Sequence, residues 1–394
     1  MLTWLYGRNP AWDGPYDLIT DPNGILDLPQ GFSYHTLERS GDPMTDGHRM
    51  PPLPDGMGCF SAPDGSWILM RNHEIHAGSP ADPSFAYDGE RGGGVSRVIV
   101  DPDTGQRLAS NMVLTGTSRN CAGGITPRGW LSCEETDEPD HGYVFLCDTE
   151  AQTLQKPQPI PTLGRFPHEA AAFDPDSGIT YLTEDVPSGA IYRHVPEFPD
   201  RPFIGRLEAL KVKGDPNADL SMGRTVHDRF SIDWVAIDDP DAKTMATRQQ
   251  AQKKGAAVFS RGEGIWFDNR QVFIVSTDGG PAGSGQIYRL DITPAGEADQ
   301  LTLIAQAEDD ASLRNPDNIT VAPWGDVFIA DDSSAPNLIR ILKPEGSILK
   351  FARNAEHGGS SEFAGLCFSP DSRWLFVNVQ KEGRTLAITG PFSR

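Results

Sequence analysis

Short apolar runs that follow a tight turn, in most cases Pro-Asp or Pro-x-Gly, recur along this chain. In each run Gly or Asp suits the turn, and alternating Trp, Ile, Phe and Val predict a short strand. Further strand-like runs lie between these units, at 96–101, 142–148, 190–195, 285–291 and 337–344. The six units are 62–70 (APDGSWILM), 126–135 (TPRGWLSCEE), 174–185 (DPDSGITYLTED), 267–277 (FDNRQVFIVST), 322–332 (APWGDVFIADD) and 369–379 (SPDSRWLFVNV).

Repetition of a several-stranded unit is typical of a β-propeller. Six copies over 394 residues allow roughly 60 residues per blade, more than compact repeats need, so the extra length is expected in loops. We therefore predict an all-β fold, a six-bladed β-propeller that forms a single domain over residues 1–394, with an N-terminal segment at about 1–55. A pair of β-sandwiches is the alternative that this pattern leaves open.

One segment departs from the strand pattern. Residues 239–255 begin with Asp239 and Pro240, which suit a helix cap and a first helical turn. They end with two lysines and Gly255, which suit a helix C-terminus. The prediction is a surface helix near 240–254, within a helical insertion at about 205–257 between blades.

The charge balance narrows the possible partners. The chain has 34 Lys and Arg against 55 Asp and Glu, for a formal net charge of −21. Such an acidic chain is unlike a nucleic-acid binder or a protein that docks on anionic membranes, so neither partner is expected. No run approaches the roughly 20 apolar residues of a membrane span, and the N-terminus lacks the basic and apolar regions of a signal peptide.

Carboxylates concentrate at the ends of the repeated strands. Corresponding strand ends of successive blades converge on the channel of a propeller, so these side chains are expected to meet there. Carboxylates in contact do not all ionise without compensation, and their oxygens suit hard cations such as Ca²⁺. Taken alone, a strand-end Glu is most often a solvated rim residue, and it is the recurrence of five or six at equivalent repeat positions that favours a metal site. The strand-end carboxylates are Glu74, Glu134, Glu135, Glu169, Glu184, Asp185, Glu263, Asp331 and Asp332.

Cys121 differs from Cys133, Cys147 and Cys367, because it falls in a Gly-rich segment predicted as a loop, whereas those three fall in apolar strands and are expected in the core. Three roles stay open for it: a small buried side chain, a metal ligand, or a nucleophile with His168 as its base. A thiolate among carboxylates would indicate a transition metal beside calcium, because soft sulfur selects Fe, Zn or Cu.

Four arginines lie within the same motifs: Arg71, Arg119, Arg165 and Arg261. Such a cation either neutralises an acidic pocket or binds an anion, and the sequence leaves both roles open. If the pocket holds multivalent metals, phosphate is the anion that fits best, with Arg as a bidentate clamp.

Several longer motifs are specific enough to compare with known families. They are RNHE (71–74), NCAGGITP (120–127), CEE (133–135), RFPHEAA (165–171), YLTED (181–185), RGEGIWF (261–267), GGPAGSGQIY (279–288) and DNITVAPWGD (317–326). Together they resemble the PhoX-type alkaline phosphatase family, from about residue 25 to about residue 380. The resemblance implies a six-bladed propeller that hydrolyses phosphomonoesters, small-molecule phosphate esters, at a cluster of Fe³⁺ and Ca²⁺ in its channel.

The resemblance also implies roles for individual residues. The side chains that would hold iron or bridge to calcium are Cys121, Glu135, Glu169 and Glu263. Those that would be calcium ligands or their neighbours are Glu74, Glu184, Asp317 and Asp332. Arg261 would bind the substrate phosphate, and with Glu169 and Glu263 it makes up the implied catalytic set.

Other readings remain at this point. A calcium-dependent lactonase or esterase propeller would need one metal and no sulfur ligand, and a non-catalytic propeller would bind a protein or glycan on its loops. Family members are typically exported by the twin-arginine route, which implies a periplasmic or secreted location. This chain shows no twin-arginine signal, so a cytoplasmic location is also considered, and no oligomeric state is indicated.

Overall fold

The structure is a computed structural model that describes residues 17–293, 297–308, 312–334 and 336–392. Residues 1–16 of the predicted N-terminal segment lie outside these ranges. Two strands near the start of the described chain pair with distant partners, β1 (Leu26–Asp27) and β2 (Ser33–Arg39).

Successive antiparallel meanders follow these two strands. The first is β3 (Pro54–Ser61), β4 (Trp67–His73), β5 (Gly93–Val100) and β6 (Arg107–Thr117). The second is β7 (Asn120–Thr126), β8 (Gly129–Glu134) and β9 (Val144–Cys147), followed by a 3₁₀ turn at Pro161–Leu163. The third is β10 (His168–Phe173), β11 (Thr180–Glu184), β12 (Ile191–Phe198) and β13 (Arg201–Val212).

An added strand, β14 (Arg229–Ala236), and the only α-helix of the described residues, α1 (Thr247–Lys253), separate the third meander from the fourth. The fourth is β15 (Gly262–Asp268), β16 (Gln271–Ser276), β17 (Gln286–Asp291) and β18 (Asp299–Gln306). The fifth is β19 (Pro316–Val321), β20 (Val327–Asp331), β21 (Leu338–Leu342) and β22 (Ile348–Asn354). A 3₁₀ segment at Glu356–Gly359 leads to the sixth, β23 (Phe363–Phe368), β24 (Trp374–Val379) and β25 (Arg384–Thr389).

The meanders are arranged as the blades of a closed ring. The first strand of each blade packs on the first strand of the next, in the order β3, β7, β10, β15, β19 and β23, and β23 packs back on β3. Strand β2 completes the sixth blade by pairing with β25, and β1 adds an edge strand to the fifth by pairing with β22. The predicted all-β propeller is confirmed, and the contacts among the described inner strands divide it into six meanders.

Glycines let the inner strands approach one another closely. A Cβ added to Gly56 would lie 2.4 Å from the Ala122 Cα, and one added to Gly264 would lie 2.5 Å from the Asp317 carbonyl oxygen. Such contacts exclude any larger residue at these positions. The cavity that the inner strands leave along this part of the channel is only about 20 Å³, which is space for about one water. The channel is therefore filled there.

The core lies between neighbouring blades. Cys133, Cys147 and Cys367 are buried among apolar side chains, as the sequence predicts. All five cysteines are free thiols. Strand β14 pairs with both β13 and β18, and so joins the third and fourth blades into one nine-stranded sheet.

The predicted surface helix is present but shorter than expected. It begins at Thr247, because Asp239 caps a local turn instead: its Oδ2 accepts a hydrogen bond from the Lys243 backbone N–H at 2.9 Å. The range 205–257 therefore holds most of β13, all of β14 and α1. No helix in the described ranges is long and apolar enough to cross a bilayer.

Candidate metal centre

A β-bulge recurs at the start of the inner strand in the first five blades. In the first blade Pro54 pairs with His73, and the next pair is Met57 with Arg71. Between these two pairs β3 advances by three residues and β4 by only two, so β3 carries one extra residue. The same irregularity occurs in the next four blades. Bulges re-aim side chains near functional sites. The residues that directly follow the first paired position are Asp55, Cys121, Glu169, Glu263 and Asp317.

A second set of side chains directly follows the second strand of a blade. Its members are Glu74, Glu135, Asp185 and Asp332, with Thr277 at the same position in the fourth blade. In all five, the backbone N–H donates a hydrogen bond to the carbonyl of the residue that precedes the inner strand, as from Glu135 to Arg119 at 3.0 Å. The repeated backbone geometry therefore presents two sets of acids at one end of the channel.

Apart from Asp185 and Thr277, these side chains together with Glu362 form four groups, in each of which three ligand atoms lie within 4.8 Å of one another. That spacing matches two ligands on opposite sides of one ion, at about 2.3–2.6 Å each. Neighbouring groups share Cys121, Glu169 or Asp317, so they form one connected centre. The groups are Asp55–Glu74–Cys121, Cys121–Glu135–Glu169, Glu169–Glu263–Asp317 and Asp317–Asp332–Glu362.

Seven of the eight metal ligands implied by the resemblance come together here: Glu74, Cys121, Glu135, Glu169, Glu263, Asp317 and Asp332. The eighth, Glu184, belongs to none of the four groups. It is the last residue of β11 and pairs with His168, and its buried carboxylate accepts hydrogen bonds from Arg248 and Tyr192, both at 2.8 Å. Because successive strand residues face opposite sides, it is the next residue, Asp185, that occupies the position equivalent to Glu135.

Two residues of the centre, Asp55 and Glu362, are not among the site residues predicted from the sequence. Asp55 could have been found by aligning the inner strands, because an acid or thiol followed by a small residue recurs there, as in Asp55–Gly56, Cys121–Ala122 and Glu263–Gly264. Glu362 directly precedes β23 in the sixth blade, and no comparable motif surrounds it.

The centre carries more negative charge than the protein balances. Burial raises the pKa of Glu169 well above its usual range, and the nearby Asp317 and Glu135 raise it further. Burial and then Glu74 raise the pKa of Asp55 to about 7. Among the described residues, the buried Oε1 of Glu169 has no hydrogen-bond partner. Such an uncompensated, oxygen-rich and thiol-containing set fits metal cations.

Two of the four motif arginines reach this centre. Arg261 donates from Nε and Nη2 to the two oxygens of Asp185 at 2.8 and 2.9 Å, and from Nη2 to Glu263 at 2.9 Å. Arg119 donates from Nη2 to Glu135 at 2.7 Å and from Nε to Glu74 at 3.2 Å. Both side chains are 41% exposed, so they lie at the mouth of the centre.

The other two motif arginines have different surroundings. Arg71 is fully buried in an ion pair with Glu38 at 2.7 Å, and Arg165 donates to the backbone carbonyl of Asp241. The proposed base for Cys121 is also engaged elsewhere: His168 Nε2 lies 3.0 Å from the Gly164 carbonyl oxygen, and its ring stacks on Phe166.

Comparisons with known proteins agree with this architecture. A solved structure of Pseudomonas fluorescens PhoX in complex with vanadate, a transition state analogue, is similar with a TM-score of 0.72 at 19% identity, covering 96% of this chain and 97% of that chain. The gluconolactonase XC5397 from Xanthomonas campestris is similar with a TM-score of 0.51 at 12% identity, covering 97% and 96%. At these identities both likenesses concern the fold alone.

The sequence comparison decides the family. No curated protein sequence matches the chain. The family model described as alkaline phosphatase PhoX matches residues 15–98 and 102–383, nearly the whole chain. The chain therefore belongs to the PhoX family of alkaline phosphatases and is an enzyme of the phosphatase class.

Proposed function

We propose that this enzyme hydrolyses phosphomonoesters at a multinuclear centre of Fe³⁺ and Ca²⁺ at the mouth of the propeller channel. The observation that carries the proposal is the connected set of nine acidic and thiol side chains, whose ligand atoms lie within 4.8 Å in each group. Family membership supplies the reaction class, and the surplus of buried negative charge supplies the reason for metals.

The donor types suggest which residues would hold which metal. The group Cys121–Glu135–Glu169 combines sulfur with carboxylate oxygens, and sulfur favours a transition metal such as iron. The two groups that contain Asp317 offer oxygen alone, which favours calcium. Glu184 is not included, because Arg248 and Tyr192 already hold its carboxylate.

When bound, such cations would neutralise phosphate oxygens and lower the pKa of a coordinated water. The chain itself contributes positioning. Asp185 and Glu263 fix the Arg261 guanidinium at the mouth, where it would orient the ester and stabilise negative charge on the transferred group. Glu263 thus serves both the centre and Arg261, while Glu169 links two groups of ligands.

A substrate panel tests the proposal. The purified protein should hydrolyse a chromogenic phosphomonoester, lose this activity on chelation, and regain it when iron and calcium are restored. Arg261→Gln should raise KM, whereas Arg261→Lys should keep part of the affinity because it keeps the charge but not the planar fork. If the protein hydrolyses a lactone but not the phosphomonoester, and needs only calcium to do so, the proposal is wrong and the lactonase hypothesis is supported.

We further propose a periplasmic or secreted location, which family members typically have. The substrate would then be a small extracellular phosphate ester that reaches the centre from its open mouth. Fractionation of cells that express the natural gene tests this location, and recovery of the enzyme with cytoplasmic markers contradicts it.

A further inference from the structure

Arg119 and Arg261 occupy the same structural position in two different blades. Arg119 directly precedes β7 and Arg261 directly precedes β15. Both have a positive φ, 49° and 43°, as do Leu53 and Asn315 at the same position in the first and fifth blades. A positive φ is uncommon for side chains of this size, so a shared backbone requirement places both guanidinium groups at the mouth.

The contacts of the two arginines follow one pattern. Each guanidinium joins a carboxylate of its own blade to a carboxylate of the preceding blade. Arg261 joins Glu263 to Asp185, and Arg119 joins Glu135 to Glu74. The two arginines flank the third blade, which contributes Glu169, the residue shared by the two central groups of ligands.

We propose that Arg119 is a second phosphate-binding residue, so that the phosphoryl group is held between two guanidiniums. This inference rests on the proposed function. A phosphomonoester dianion presents three non-bridging oxygens, whereas a diester presents two and carries one charge less. A pair of bidentate donors therefore selects monoesters over diesters, and Arg119 is a determinant of that selectivity.

Arg119 has two carboxylate partners, Glu135 and Glu74, and Glu74 has a further hydrogen-bond donor besides Arg119. Gln380 Nε2 also donates to Glu74 at 2.8 Å and to Asp55 at 2.7 Å. Glu74 therefore keeps a hydrogen-bond donor when the guanidinium is removed. If Arg119 only balances the charge of the metal-binding carboxylates, its replacement should lower the metal content. If Arg119 binds phosphate, its replacement should weaken phosphate binding and leave the metal content unchanged.

The experiment compares the metal-loaded wild type with Arg119→Gln, Arg119→Lys and a control, Arg193→Gln. Arg193 also pairs with two acids, Glu208 and Asp299, but it stacks on Trp234 in an outer strand. The readouts are affinity for inorganic phosphate by titration calorimetry, iron and calcium content, and KM and kcat for a monoester and a diester.

We expect Arg119→Gln to keep its metals and to bind phosphate about 10- to 100-fold more weakly, the usual effect of losing a charged hydrogen bond. KM for the monoester should rise, and the preference for monoester over diester should shrink. Arg119→Lys should recover part of the affinity, and Arg193→Gln should match the wild type.

Two results would overturn the inference while leaving the proposed function intact: unchanged phosphate affinity in Arg119→Gln, or a loss of metal in parallel with affinity. If the metal-loaded wild type binds no phosphate and hydrolyses no monoester, the proposed function is wrong. The proposed role of Arg119 in binding phosphate is then wrong as well.

Discussion

Replacement of Glu169 by Gln should have opposite effects on the metal-free and the metal-loaded protein. Glu169 is buried and belongs to two ligand groups. Burial, and then Asp317 and Glu135, raise the pKa of its carboxyl. Without cations its charge is therefore unfavourable, and a neutral side chain of the same shape should stabilise the fold. With cations the same change removes a shared ligand, so the stabilisation by metal should fall.

The size of the effect follows from the spacing of the ligands. Two unit charges 4.8 Å apart repel by about 3.5 kcal/mol at an effective dielectric constant of about 20. If the carboxyl instead avoids this repulsion by staying protonated, the free energy cost at pH 7.5 is about 4 kcal/mol. This cost corresponds to about 3 pH units above the usual pKa of Glu, at about 1.4 kcal/mol per unit. The buried amide of Gln offsets about 1–3 kcal/mol of either gain if it lacks partners. We expect a net gain of about 0.5–3 kcal/mol, or up to a few degrees in Tm.

Scanning calorimetry in chelator and in added metal measures both effects. Glu184→Gln is the matched control, because Glu184 is equally buried but pairs with Arg248. It should lower Tm in both conditions, since Arg248 loses its partner. A lower Tm of the metal-free Glu169→Gln protein, like that of the control, would show that the buried charge of Glu169 does not destabilise the metal-free fold.

Other predictions concern groups outside the centre. Burial opposes a charge on His141, but hydrogen bonds to Glu134 and Asp88 outweigh it and raise its pKa. The contribution of protonated His141 to the free energy of unfolding is therefore present below a pH of about 6.5 and is lost as the pH rises through the folded-state pKa. We expect His141→Gln to lower the free energy of unfolding more at pH 6 than at pH 9. Denaturant titrations at both values check this, and an equal loss contradicts it. Glu38→Ala should cost about 3–5 kcal/mol in the same assay because it leaves the buried Arg71 unpaired; a loss below about 1 kcal/mol would show that the pair contributes no more than a surface ion pair.

The repeated signal in the sequence marks one strand of each blade. The six turn-strand units correspond to β4, β8, β11, β16, β20 and β24, the second strand of every blade. These strands are apolar because neighbouring blades cover both of their faces, and a tight turn precedes each, so local sequence predicts them. The pairing of β2 with β25 joins Tyr34 to Ile388, and no local pattern encodes so distant a contact.

The same limit explains which site residues could be predicted. Cys121 and Glu169 lie in long motifs that carry the family resemblance. The choice between Glu184 and Asp185 depends on the ladder between β10 and β11, in which His168 pairs with Glu184. A shift of one residue reverses the face, so strand-end composition alone does not distinguish two adjacent acids. Glu362 comes from the sixth blade, where the ladder irregularity falls later, after Ala364.

We propose that the eight acids of the metal centre and Cys121 hold iron and calcium that the reaction requires. Elemental analysis of the protein, purified without chelators and assayed in the same preparation, tests it most directly. We expect bound iron together with calcium in the wild type, and a loss of iron in Cys121→Ser. Full phosphomonoesterase activity in protein that contains neither metal would contradict this proposal.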